Sequence, residues 1–410
     1  MKNKGSKGIT LIALIITIIV LVILAGVAIV TLTGNNNIIE NANKAVGKYN
    51  EKANEEQGIL SELEEKLKEY TGGGSSTPTT PSDPVTPPKD DPPTIPVVDV
   101  NGLATKKETI IPDKTNPNLQ ISIPTGFAPA ILQTGTTQSL PGQDGSVKGI
   151  MANNEWNNIT AEDINKGIVV VDGDGNEFVW IPITDISEFD RKAYGATIAE
   201  TSTSRAYWED TSTSEYTNMV SSVTTNKGFY VARYEASKNN NSTKAQSKRE
   251  ANVWKRISQT DAIKKSANYN NALHSHLMYG IEWDSILNWL NENATISSSA
   301  SGKTKTMELS DIQTNSSSWG NYTDSTGDAS TNSYDLQTSG TSEYWKANNI
   351  YDLAGNVIEW TQEKYSTWAY RAYRGGSYDR YGVYGSAAHR SCVDESYTIS
   401  SIGFRVSFYL

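Results

Sequence analysis

The chain has 410 residues and a formal net charge of -10, with 20% charged residues, long enough for one large domain or two smaller ones with attachments. No Lys/Arg cluster appears beyond the first seven residues, so the acidic balance argues against a nucleic-acid partner. Three histidines and a single cysteine, Cys392, leave little material for metal or thiol chemistry and exclude an intrachain disulfide.

Residues 1–8, "MKNKGSKG", carry three lysines, and no charge follows from Ile9 to Leu32. As a helix this run is about 36 Å long, enough to cross a bilayer core of roughly 30 Å. It is too long for the apolar part of a cleaved secretory signal. The lysines predict a cytoplasmic N-terminus with the rest of the chain outside. "KGITLIALI" also resembles the leader of type IV pilins and pseudopilins, in which a peptidase cuts after Gly and the new N-terminus is methylated. Gly8 and Ile9 match those processing positions. That resemblance implies pilus subunits as partners, but Ala13 stands where those pilins usually carry Glu. The plain alternative is a membrane anchor spanning 9–33.

Residues 34–70 place Ile39, Ala42, Val46, Tyr49, Ala53, Leu60, Leu63 and Leu67 close to helical spacing, with charges between, and read as a helical stalk. Residues 71–96 are Gly/Ser-rich and then Pro-rich, a semi-rigid spacer that cannot bury a core. Residues 97–167 begin the globular region, either as part of the following domain or as a separate piece.

From 168 to 410, short apolar runs such as "GIVVVDGDGNEFVWIPI" and "GFYVARYEAS" predict strands separated by polar loops. One helix stands out, "GIEWDSILNWLNEN", with Ile281, Ile286, Leu287, Trp289 and Leu290 on a core face. Ten tryptophans and twenty-one tyrosines indicate a core held by aromatics. "HSH" offers His274 and His276 as two metal ligands, with no third nearby, and is better read as a solvated polar turn. "DGDGN" at 172–176 is better read as a hairpin turn than as a calcium loop, because it lacks a closing Glu.

"FVWIPI", "GFYVARYEAS", "IEWDSILNWL", "NIYDLAGNVIEW", "YRGGSY" and "SIGFRV", in that order, resemble the formylglycine-generating-enzyme or sulfatase-modifying-factor domain over roughly 168–410. The resemblance implies an α+β, C-type-lectin-like fold. It also implies a structural calcium beside "GNVIEW", with Asp352, Gly355, Val357 and Glu359 at the matching positions. The aerobic enzymes use a cysteine pair between the RGGS-like and GFR-like motifs, whereas this chain has only Cys392 there. The expectation is therefore a protein that is not an enzyme.

Domains of this type also serve as the variable proteins of diversity-generating retroelements, where "GNVxEW", "RGGS" and "IGFR" frame a hypervariable segment. Adenine-directed rewriting of AAC-type codons cannot yield Lys, Glu, Gln, Met or Trp, and none of these occurs from Arg371 to Asp394. Tyrosine supplies rigid, amphipathic contact area. The expected ligand-binding residues are Tyr378, Asp379, Arg380, Tyr381, Val383, Tyr384, Ser386, Cys392, Val393 and Asp394, contacting a protein or glycan on another surface. The sequence thus predicts a surface-anchored receptor or adhesin. The alternatives are a minor pilin or structural surface subunit, and a sulfatase-modifying-type enzyme with displaced chemistry.

Overall fold

The computed structural model describes residues 102–133, 145–202, 205–239, 244–298, 303–328, 335–366 and 369–410. The leader 1–8 with Gly8 and Ile9, the membrane helix 9–33, the stalk 34–70 and the spacer 71–96 lie outside the described residues. Among the described residues, no helix is long and apolar enough to cross a membrane.

Twelve strands build the two larger sheets: β1 Phe127–Leu132, β2 Val147–Ile150, β3 Val169–Asp172, β4 Glu177–Pro182, β5 Tyr207–Trp208, β6 Gly228–Ala232, β7 Ser275–Leu277, β8 Ile358–Tyr365, β9 Tyr370–Arg374, β10 Arg390–Asp394, β11 Ile402–Phe404 and β12 Val406–Phe408. The helices are α1 Ala161–Asn165, α2 Ser214–Asn226, α3 Gln259–Ala267, α4 Gly280–Asn293 and α5 Leu309–Gln313. The result is a sheet-rich α+β fold.

The first sheet is antiparallel, in the order β7-β12-β6-β4-β3-β1-β2. Its central strands are apolar along most of their length because both faces are covered. Along β4, Val179 and Ile181 join one core while Phe178 and Trp180 join the other, and along β6 Phe229 and Val231 alternate with Tyr230 and Ala232 in the same way. Helices α2 and α4 cover the first face, through Met219, Val223, Ile286, Leu287 and Leu290. The second face packs on the other sheet through Trp360, Ile402 and Phe404. Strands β1 and β2 come from the 97–167 stretch and complete this sheet, so that stretch shares the domain's cores.

"DGDGN" forms the β3–β4 turn: the Asp172 carboxylate accepts from the Asp174 and Asn176 amides, and Gly175 adopts a φ of 76° that suits glycine. The helix read from "GIEWDSILNWLNEN" is α4, with all five expected core residues buried. Of the two histidines, His274 is an exposed turn residue as expected, whereas His276 departs from that reading. His276 is buried in β7, where Phe408, Ser407 and Val406 of β12 pair across from it and its neighbours.

The second sheet runs β10-β9-β8-β11, with β5 also paired to β8. Strands β8 and β11 are parallel, setting Glu359 of "GNVIEW" beside Gly403 of "IGFRV". Strands β9 and β10 are the antiparallel stems of the tyrosine-rich segment, paired without a break from Tyr370↔Asp394 to Arg374↔Arg390.

Candidate functional site: a tyrosine loop on a buried ion network

Arg374, the arginine of "RGGS", ends β9, and Arg390 begins β10. Both are buried and share two carboxylates. Arg374 Nη2 is 2.7 Å from Asp284 Oδ1 and its Nη1 is 3.3 Å from Glu363 Oε2, while Arg390 contacts Asp284 Oδ2 at 2.6 Å and Glu363 Oε1 at 2.9 Å. Arg191 adds a third guanidinium, 2.5 Å from Glu363 Oε1 and 3.5 Å from Glu209. Glu209 in turn accepts from the backbone amides of Gly280 and Ile281 at the start of α4, where free N–H groups favour an anion. Burial alone would raise Glu363, but Arg390, Arg374 and Arg191 more than reverse this and hold it at about 2. At Glu209 burial wins over Arg191, pushing the carboxyl up to about 8. Both stems of the loop are therefore clamped at one point to β8 and α4.

Between the stems, the backbone of 378–388 is tied to the segment 312–324. Thr323 N donates to Arg380 O at 2.8 Å, Gly382 N to Asp324 Oδ1 at 2.7 Å, Ala387 N to Ser316 Oγ at 2.9 Å and Ala388 N to Ile312 O at 3.0 Å. Two glycines permit the close approach. A Cβ on Gly376, whose φ is 75°, would strike the Gly385 carbonyl, and one on Gly382 would lie 2.5 Å from Ser317 N. With the backbone committed, the side chains turn outward. Tyr381 is 51% exposed, Val383 48% and Tyr384 70%, and the two rings meet edge to face at 6.2 Å. Asp379 and Arg380 are also exposed and Tyr378 is half-buried.

The remaining expected ligand-binding residues do not join this surface. Ser386 is buried and donates to Gln313 O at 3.0 Å, because the chain has already turned back toward α5. Cys392 and Val393 are half-buried in β10; the thiol lies by Tyr207, burial pushes it up, and Val393 packs on the second core. Asp394 is exposed, but its carboxylate accepts from the Ser396 amide and hydroxyl, which hold it below the usual range.

At the positions matching the calcium site, both acidic side chains already have partners within the protein. Both Glu359 oxygens accept from Arg405, the arginine of "IGFRV", at 2.7–3.2 Å, so a guanidinium already stands against the carboxylate. Asp352 Oδ2 accepts from Ser339 Oγ and Gly340 N. Gly355 adopts a φ of 79°, where a side chain would strike Asn321, and the Val357 amide donates to Glu235 at 3.0 Å. Among the described residues, no group of three or more His, Cys, Asp and Glu is placed to hold a metal. These motif residues act as internal struts.

A third charged cluster resembles catalytic machinery only in composition. His276, Glu282 and Ser407 meet in the interior, but Ser407 Oγ contacts Glu282, at 2.5 Å, with His276 Nε2 on the same carboxylate at 3.0 Å. The hydroxyl donates to the Glu282 carboxylate, with the imidazole on the far side of that carboxylate, and all three groups are buried. No spacing in the sequence announces this trio, since its members come from β7, α4 and β12.

The fold and site define an α+β domain that displays a short aromatic loop on a fixed frame. No protein-family model matches the chain, and neither does any curated protein. Among solved structures, it is similar to one described as CarF, at 16% identity and a TM-score of 0.29 over 45% of this chain and 87% of that one. PvdO from Pseudomonas aeruginosa gives 13% identity and a TM-score of 0.26, covering 45% of this chain and 82% of that one. Treponema denticola variable protein 1 gives 12% identity and a TM-score of 0.23, covering 74% of this chain and 99% of that one.

Proposed function

We propose that the chain is a surface-anchored binding protein, not an enzyme, which captures a protein or glycan on another surface through the loop from Tyr378 to Tyr384. The observation that carries this reading is the contrast within one loop: its backbone is bonded to 312–324 at Tyr378, Arg380 and Gly382, yet Tyr381, Val383 and Tyr384 leave about half or more of their surface in water. Large apolar side chains held out by a rigid backbone lose little further freedom on binding, which is the economy of a pre-organised paratope. The lysine-flanked apolar run at 9–33 would anchor the chain, with or without cleavage between Gly8 and Ile9, and the stalk and spacer would hold the loop away from the membrane.

The loop is also proposed as the varied part of a diversity-generating retroelement protein. Its exposed positions can change without touching a core, while Arg374, Gly376 and Arg390 cannot. The test is deep sequencing of the gene's 3′ end in a grown population of the host, together with its flanking DNA. The expected result is adenine-directed substitution at the codons for the exposed loop residues, and a nearby reverse-transcriptase gene with a near-copy of the 3′ end. An invariant 3′ end without such neighbours would overturn diversification.

A further inference from the structure

Helix α4 carries two buried donors that meet no acceptor. Ser285 and Trp289 stand one turn apart and so share a face of the helix. Ser285 is 2% exposed and Trp289 5%, and among the described residues neither the Ser285 hydroxyl nor the Trp289 Nε1–H has a hydrogen-bond partner. Buried polar groups in native folds are nearly always satisfied, so an unmet pair points to water or a ligand. Both residues line one cavity of about 230 Å³, set between α4, the end of β4 at Pro182 and the end of α1 at Asn165. Its mouth carries two exposed carboxylates, Glu188 and Glu292, the second accepting from Asn288 Nδ2 at 3.1 Å. Among the described residues, no Lys, Arg or His lines it.

The lining selects a ligand by its chemistry. An indole N–H only donates, so the end of a ligand that reaches the floor must accept, which excludes an ammonium group. Two carboxylates with no cation beside them repel an anion. An apolar molecule would leave both floor donors unmet. What fits is a neutral molecule whose groups both accept and donate. At roughly 30 Å³ per water the cavity has room for about seven waters, the space of one sugar ring with its hydroxyls. We propose that this cavity binds a single neutral sugar ring, whose adjacent hydroxyls accept from Trp289 Nε1 and Ser285 Oγ at the floor and donate to Glu188 and Glu292 at the mouth. The cavity shares no residue with the loop from Tyr378 to Tyr384 and is independent of what that loop binds.

The experiment is a saturation-transfer NMR titration of the full chain, in a detergent without a sugar headgroup, with glucose, galactose, mannose, N-acetylglucosamine and glucuronate as probes. The expected result is transfer to at least one of the neutral sugars and none to glucuronate. Ser285→Ala and Trp289→Phe each remove one floor donor, and each is expected to weaken that binding about tenfold. Because the Ser285 hydroxyl has no partner among the described residues, Ser285→Ala is expected to melt with the parent protein, which keeps the test decisive even where Trp289→Phe folds poorly. Replacing Tyr381 and Tyr384 leaves the transfer unchanged. No transfer to any neutral sugar, equal transfer to glucuronate, or undiminished transfer in Ser285→Ala would overturn the proposal. Transfer lost with Tyr381 and Tyr384 instead would also overturn it, by placing the sugar on the loop.

Discussion

His276 Nδ1 lies 2.8 Å from the His274 carbonyl, which only accepts, while Nε2 lies 3.0 and 3.1 Å from the two Glu282 oxygens. Both ring nitrogens therefore donate and the ring is an imidazolium. Burial would lower its pKa, but the Glu282 carboxylate more than reverses this and holds it at about 9, against a value of 6.5 for a free histidine. A raised pKa means that the folded state binds the proton more tightly than the unfolded chain does. The contribution is complete below pH 6.5 and is lost as pH rises through 9. The urea midpoint of the intact protein is expected to fall between pH 6.5 and 9, and a His276→Gln variant should show a smaller fall, the remainder coming from Glu209, which gives up its proton near 8. Equal slopes for the two proteins would contradict the charged pair. The sequence offered "HSH" as a polar turn because nothing in its spacing shows that β12 and α4 close over the second histidine. At the loop the sequence was more informative. The exposed tyrosines follow from their density between framing glycines, whereas the burial of Ser386 depends on α5, a helix of five residues with no periodicity to read.

The stems β9 and β10 are held by their own unbroken ladder and by the ion network at its closed end. Arg374, Arg390, Asp284, Glu363 and Glu209 are buried there beside half-buried Arg191, and removing one partner of such a set strands an uncompensated charge. Arg374→Ala leaves Asp284 and Glu363 short of a donor each, and is expected to cost about 3–5 kcal/mol in urea unfolding. A loss below about 1 kcal/mol would show that the network is not what clamps the stems. Two of its members were visible in motifs, Arg374 in "RGGS" and Asp284 in "IEWDSILNWL". Glu363, Arg390 and Arg191 were not, because charge pairing across long separations leaves no local pattern. The elements themselves were unevenly legible. Strands β3, β4 and β6 and helix α4 are apolar enough to read directly. Helices α2 and α3, "SEYTNMVSSVTTN" and "QTDAIKKSA", bury only a few side chains each and depend on Thr213 and Ser258 caps and on tertiary packing.

Across the whole domain, the motifs that framed the sequence reading turn out to interlock with one another. Glu359 of "GNVIEW" pairs with Arg405 of "IGFRV" at 2.7 Å, Asn356 of the former donates to Glu235 of "GFYVARYEAS", and Arg374 of "RGGS" reaches Asp284 of α4. Trp360 and Phe404, from the same motifs, lie in the second core. Such a frame, with the 378–384 side chains left in water, separates what folds the protein from what is displayed to solvent. That separation is the central claim, and paired melting curves test it most directly. The variant Tyr381→Ser/Tyr384→Ser/Asp379→Asn removes exposed groups, so each change should cost no more than about 0.5 kcal/mol. Trp360→Ala empties a fully buried site and should cost about 3–5 kcal/mol. The account predicts a loop variant that melts close to the parent protein and far above Trp360→Ala; a loop variant that melts as low as Trp360→Ala would contradict it.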